Sequence, residues 1–261
     1  MMTESTVPPI AVQLYSLRHF SDDFARQIAT VAELGYTGVE LVGLSLSPEQ
    51  VTEILSEQNV KAVSAHVSYQ ALYEDLDKQI AFHQTIGNSW IIVPAPPQNV
   101  RETNTVESWV NFAKSLEDFG RRSFDAKIRL GYHNHWWEMA ELEGKRVIDW
   151  MMGETDPDYL FFEPDLAWIT RGGADPKAML DQYAGRCPRV HAKDLAPAGE
   201  NEEEMGLADV GYGTLDWNVL LPAARAAGAE WYVVEHDKPK DPVASVKRSL
   251  EFLRSQAELI L

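Results

Sequence analysis

Four metal-capable side chains stand where short apolar runs end. The run from Ile128 to Tyr132 stops at His133, within the segment Leu130-Gly131-Tyr132-His133-Asn134-His135-Trp136-Trp137-Glu138. Phe161-Phe162-Glu163-Pro164-Asp165 ends in a carboxylate, Arg189-Val190-His191-Ala192-Lys193-Asp194 in a histidine, a lysine and a carboxylate, and Trp231-Tyr232-Val233-Val234-Glu235-His236-Asp237 in three ionisable groups. Two imidazoles and two carboxylates (His133, Asp165, His191 and Glu235) suit one Mn, Co, Fe or Zn ion better than Ca or Mg, which prefer oxygen alone, although Mg is kept in the set. The set is not a Cys-rich structural zinc pattern, and an open site with room for water or substrate oxygens is expected. Each residue also has an ordinary reading. His191 can be a packed histidine bonded to a carboxylate, Asp165 can cap a helix, and Glu163 shares the strand face of Asp165 and competes with it. Glu235 closes an apolar run, where an unpaired carboxylate is costly.

The elements that must bring these residues together follow from spacing. The successive intervals 133 to 165, 165 to 191 and 191 to 235 are each of the order of one strand-helix-strand step of roughly 30 residues. Along the chain, strands are expected at Ile10–Leu14, Val39–Val42, Val60–His66, Trp90–Val93, Ile128–His133, Tyr159–Glu163, Val190–Ala192 and Tyr232–Glu235. Helices are expected between them. Ser47-Pro48-Glu49-Gln50 is a strong helix start, with a cap, a proline at the first position and an acid in the first turn. Val106–Phe124 reads as a long amphipathic helix, and Leu195–Gly213 as a long polar loop. Strict alternation with apolar strands demands a parallel sheet covered by helices. Eight units in 261 residues fit a single (β/α)8 TIM barrel. Residues 1–9 read as a flexible lead-in and residues 10–261 as one barrel domain.

Composition narrows the class of function. Asp plus Glu outnumber Lys plus Arg by 40 to 23, a formal charge of -17, which argues against nucleic acid and anionic membranes. The single cysteine, Cys187, allows no intrachain disulfide. No signal peptide and no membrane span is legible, so cytoplasm is the expected location. The sequence contains no G-x-G-x-x-G turn, no G-x-x-x-x-G-K-[ST] loop and no G-x-S-x-G elbow.

Several motifs in order carry a family resemblance: Val12-Gln13-Leu14-Tyr15-Ser16-Leu17, Gly38-Val39-Glu40-Leu41, Tyr132-His133-Asn134-His135, Asp165-Leu166-Ala167-Trp168, His191-Ala192-Lys193-Asp194, Gly211-Tyr212-Gly213-Thr214-Leu215-Asp216-Trp217 and Val234-Glu235-His236-Asp237. The chain resembles the xylose isomerase-like TIM barrels: sugar phosphate isomerases and epimerases, inosose dehydratase and the AP endonuclease family 2 relatives. The resemblance implies one divalent metal on His133, Asp165, His191 and Glu235, and a small sugar or cyclitol substrate; it leaves a homo-oligomer open. It also exposes a departure. The epimerases carry glutamate where this chain has His133, so only Glu235 remains of their acid–base pair, and Glu138 is the candidate to swing in as ligand or base.

The expected chemistry is isomerisation or epimerisation of a keto-sugar or polyol-derived ketone. Metal chelation by the ketone acidifies the adjacent hydrogen and stabilises an enediolate. Glu235 is the expected base, and Lys193, on the face of His191 by strand parity, polarises a carbonyl or contacts substrate. Elimination of the inosose dehydratase type shares the first step and is the alternative. A non-catalytic carbohydrate-binding subunit is the reading from another class. Glu40, His66, His135, Trp136 and Trp168 are the expected substrate contacts, with Glu40 alternatively orienting a ligand and His135 acting as acid or as a ligand's partner.

Overall fold

The computed structural model describes residues 9–261, so the expected lead-in, apart from Pro9, lies outside the described residues. Eight parallel strands form one sheet: β1 (Ile10–Gln13), β2 (Gly38–Val42), β3 (Lys61–His66), β4 (Trp90–Val93), β5 (Arg129–His133), β6 (Phe161–Glu163), β7 (Arg189–Ala192) and β8 (Trp231–Val234). Their spatial order is β6-β5-β4-β3-β2-β1-β8-β7. The two ends meet in a single parallel bridge between Asp165 and His191, where the His191 amide donates to the Pro164 carbonyl at 2.9 Å. The barrel is therefore closed at its seam by two of the residues singled out for chemistry.

The expected elements are present, with ends moved by one or two residues in most cases. Ser47 forms a capping box with Gln50 ahead of the helix Pro48–Glu57, and Val106–Phe124 has the expected bounds. The short helix Gln98–Thr103 is additional to the expected elements, and Leu166–Arg171 is the helix that Asp165 could cap. The loop after β7 contains a two-residue ribbon, Asp194–Leu195 against Leu207–Ala208. Among the described residues no helix is long and apolar enough to cross a membrane.

Each strand shows one residue set to the helices and the other to the barrel axis, as the period of two requires. Val12, Val39, Leu41, Ile91, Leu130, Phe162 and Val190 belong to the large core between strands and helices. Inside the barrel, the apolar cluster is small: Ala11, Val63 and Val233, with Trp231 against it. Gly38 leaves the room for this cluster, since a Cβ there would lie 2.6 Å from Val63 Cγ1.

One irregularity re-aims a side chain. The β2–β3 register runs Val39↔Ala62 and then Glu40↔Ser64, so Val63 is an extra residue in β3. Val63 packs inside the barrel, and simple alternation would then send His66 outward. The bulge reverses the parity and turns His66 inward. The Val63 carbonyl, left without a ladder partner, accepts from Arg189 Nη2 and Nε at 3.0 and 3.2 Å.

Candidate metal centre

Above the apolar plug, the barrel interior is filled with ionisable groups. Glu40, Glu163, Asp165, His191 and Lys193 are fully buried, and His133 and Glu235 nearly so. His133, Glu163 and His191 hold the last inward positions of β5, β6 and β7, Glu40 lies at an inward position within β2, and Asp165, Lys193 and Glu235 lie just beyond β6, β7 and β8. Asp165 caps the helix Leu166–Arg171 with Oδ1, which accepts from the Trp168 amide at 2.9 Å. Its other oxygen, Oδ2, lies 2.9 Å from Lys193 Nζ and 3.9 Å from both His133 Nε2 and His191 Nδ1. The cap reading and the site reading are thus both satisfied, one oxygen each.

His133, Asp165, His191 and Glu235 each place a donor atom within 4.8 Å of the others. Glu235 Oε2 is 2.9 Å from His191 Nδ1 and 2.8 Å from Lys193 Nζ. The opposite nitrogen of His191, Nε2, is 2.6 Å from Glu40 Oε1, which also accepts from Gln13 Nε2 at 2.8 Å. A carboxylate on the far nitrogen fixes the ring orientation and tautomer, leaving Nδ1 to face the centre. Asn134 ties the site across the seam: its Oδ1 accepts from the Asp165 amide at 2.9 Å.

The electrostatics fit a divalent cation. Five carboxylates (Glu40, Glu163, Asp165, Glu235 and Asp237) face one ammonium and three imidazoles. Burial and the neighbouring cations hold His133 neutral, well below its ordinary range. Burial opposes charge on His66 as well, but Glu40 and Glu163 prevail and raise it to about 9. His191 is raised well above its usual value by Glu163 and Glu40 despite burial. A metal-bound imidazole is neutral, so with only Lys193 and His66 as cations five carboxylates leave three formal negative charges, of which a divalent ion would offset two. His133 Nδ1 and Glu163 Oε1 are buried without a hydrogen-bond partner, which is costly unless something binds them.

Burial lifts Asp165 to about 6, with Lys193 and His191 pulling it back. Burial would raise Glu235 too, but Lys193 and His191 beside it hold it well below the carboxylate range. Lys193 is desolvated, yet Asp165, Asp237 and Glu235, with oxygens at 2.9, 2.7 and 2.8 Å, keep it protonated far above its usual pKa. Its ammonium also stands 4.7 Å from the centroid of the Trp168 ring.

Other expected site residues are placed differently. Glu138 is not brought into the centre. Its carboxylate accepts from the Tyr132 hydroxyl and, at 2.8 Å, from the His135 amide. Tyr132 faces the helix layer, packed edge-on against Phe112, so Glu138 sits behind the strand. Glu40 and His66 are turned to neighbouring site side chains: His66 Nε2 is 3.0 Å from both Glu40 Oε1 and Glu163 Oε2. His135 stacks on Trp137 at 4.2 Å between centroids, Trp168 is fully buried, and Trp136 is 42% exposed.

Sequence reasoning gave Glu163 only as a rival of Asp165, whereas both carboxylates are present in the cluster. Gln13 and Asn134, which contact Glu40 and Asp165, carry no sequence signal for the site. For Asp237 the available signal was parity, two positions after Glu235. Asp194, fully buried, organises the long loop instead of the site. It accepts from the amides of Leu195, Gly211 and Leu215 at 2.8, 3.0 and 3.1 Å and from Trp217 Nε1 at 2.7 Å. The Gly213 backbone closes on the same carboxylate, where a Cβ would come within 2.3 Å of Oδ1.

The model of the xylose isomerase-like TIM barrel family matches residues 28–256. An inosose dehydratase from Lacticaseibacillus casei is 24% identical over 247 residues, covering 82% of each chain. A solved sugar phosphate isomerase/epimerase from Parabacteroides distasonis superposes with a TM-score of 0.82 at 19% identity, over 99% of this chain and 97% of that one. The IolI protein with a bound zinc atom gives a TM-score of 0.72 at 12% identity, over 97% of this chain and 98% of that one.

Proposed function

Because the chain belongs to the xylose isomerase-like TIM barrel family, we propose that it is a metal-dependent lyase acting on a polyhydroxylated ketone, a keto-sugar or a cyclitol ketone. The observation that carries this reading is the pairing of one base with one acid. Glu235 Oε2 and Lys193 Nζ lie 2.8 Å apart beside the candidate centre, and His133 occupies the position where an epimerase needs its second carboxylate. A neutral, buried imidazole enlisted as a ligand is no opposing base. Epimerisation needs proton transfer on both faces of a carbon, whereas β-elimination needs a base on the C–H and an acid on the departing oxygen.

A divalent ion held by His133, Asp165, His191 and Glu235 would supply a Lewis acid for the ketone oxygen. The remaining work falls to the chain. Glu235, ionised throughout the neutral range, takes the proton adjacent to the ketone. The released electron pair forms the new C=C bond as the β-carbon–oxygen bond breaks. Lys193 delivers the proton that lets the hydroxyl leave as water. Trp168 and His135, with Trp136 at the surface, wall the substrate. The inosose dehydratase relatives support elimination on a cyclitol ketone.

The second reading, a sugar isomerase, uses the same Glu235 to return the proton to the neighbouring carbon, and the Lys193 ammonium then only polarises an oxygen. Mass spectrometry of products formed from keto-sugars and cyclitol ketones in deuterated water separates the two. Loss of water is expected; deuterium uptake at constant composition would replace the lyase reading with the isomerase one. No exchange and no product, with any divalent metal, would sink both in favour of a binding subunit.

A further inference from the structure

His133 and His191 each turn one ring nitrogen outward, toward Asp165 and Glu235, and the other inward. On the inner side, Glu163 Oε2 lies 3.3 Å from His133 Nδ1, 3.2 Å from His191 Nε2 and 3.0 Å from His66 Nε2. These four residues form a second group whose donor atoms lie within 4.8 Å of one another. A four-coordinate ion with metal–nitrogen bonds of 2.0–2.1 Å separates its ligand atoms by about 3.3–3.4 Å, so the three edges need open by a few tenths of an ångström at most. His133 Nδ1 is 98% buried by residue, points into this group and has no hydrogen-bond partner. Glu163 Oε1 is buried and unpartnered as well.

We propose that His66, His133, Glu163 and His191 form a second, closed cation seat on the inner side of the imidazole pair, suited to Zn2+. Three imidazoles and one carboxylate make a nitrogen-rich tetrahedral set that favours zinc over manganese or magnesium. All four positions are taken by protein, as in structural sites, so no substrate oxygen can enter. A neutral imidazole has one lone pair and one N–H. An ion on the inner seat therefore needs the lone pair on His191 Nε2, the nitrogen that otherwise faces Glu40 Oε1 at 2.6 Å, and takes from His133 and His191 the lone pairs that the outer centre requires, so the two seats exclude each other. Only this exclusion rests on the outer centre of the proposed function; the inner seat stands on its own ligands. Zinc held inside would leave the protein loaded and unable to act.

The test uses the full-length, metal-stripped protein. Co2+ is titrated by visible absorption, Zn2+ affinity is measured against a chromogenic chelator, and crystals soaked in Zn2+ are measured at the zinc edge. Wild type is expected to give the intense absorption of four-coordinate Co2+, one Zn2+ per chain, and anomalous density among His66, His133, Glu163 and His191. Glu163→Gln and His66→Ala should lose the intense band and weaken Zn2+ at least tenfold, while Asp165→Asn retains both; circular dichroism checks that each variant is folded. Density confined to the space between Asp165 and Glu235, or a band and affinity that follow Asp165→Asn and ignore Glu163→Gln and His66→Ala, would overturn the seat. Two ions bound at once would overturn the exclusion. Because wild-type density decides the position, misfolded variants do not spoil the test. A protein without any turnover can still show inner density, so failure of the lyase reading is separately visible.

Discussion

The same eight strands carry two opposite surfaces. Their outward residues, such as Leu130, Phe162 and Val190, are completely buried and apolar and hold the helices to the barrel. Their inward residues change character along the axis, from the plug of Ala11, Val63 and Val233 to a layer of carboxylates, imidazoles and one ammonium. Burying apolar area stabilises by about 25 cal/mol per Å², whereas burying charge costs free energy unless it is paired. The contrast teaches that the outer surface makes the fold and the inner layer is carried by it. Site residues should then be replaceable without unfolding, and core residues should not.

The largest expected effect is on chemistry. Glu235→Gln should lower turnover by about 10³-fold or more, the scale of a lost general base. Because Lys193 and His191 hold Glu235 ionised, its neutralisation should lower the melting temperature, but modestly, since Asp165 and Asp237 still face Lys193. Turnover equal to wild type would remove Glu235 from the reaction, and a large fall in melting temperature would break the contrast between the two surfaces. Phe162→Ala, on the outward face, should cost about 3–5 kcal/mol in urea unfolding; a loss below about 1 kcal/mol would mean that the outer core is not what holds the barrel.

Glu138 gives a pH signature from behind the strand. Burial raises its pKa from 4.5 to about 7, so the folded state favours the protonated carboxyl. The stability this contributes is complete below pH 4.5 and is lost as pH rises through 7, a decline on the order of 3 kcal/mol. Unfolding free energies at pH 5 and 7.5 should show that decline in wild type and a flatter line in Glu138→Gln. Parallel lines would mean that Glu138 is solvated or paired in a way its contacts with Tyr132 and His135 do not allow. The smallest effect concerns space inside the barrel. A Cβ on Gly131 would lie 2.6 Å from Ile92 Cδ1, and since that atom is the end of a flexible side chain, Gly131→Ala should cost about 1–3 kcal/mol with metal binding retained. Loss of metal binding would show that inward packing and the site are coupled.

The amino-acid sequence by itself determined the strand–helix alternation, the helix starts at Ser47 and Val106, and the placing of His133, Asp165, His191 and Glu235 at strand ends. These are local properties: hydrophobic period, cap chemistry and the residue type that follows an apolar run. Tertiary structure alone decided that the Val63 bulge turns His66 inward, because a bulge depends on the register of the neighbouring strand. It also decided that Glu138 bonds to Tyr132 behind the barrel, that the Lys193 ammonium stands among three carboxylates, and that each of two histidines has a nitrogen on either side of the centre. Apart from the Glu138–Tyr132 contact, which spans six positions, those relations join residues tens to more than a hundred positions apart, and they exist only once the barrel has closed at Asp165 and His191.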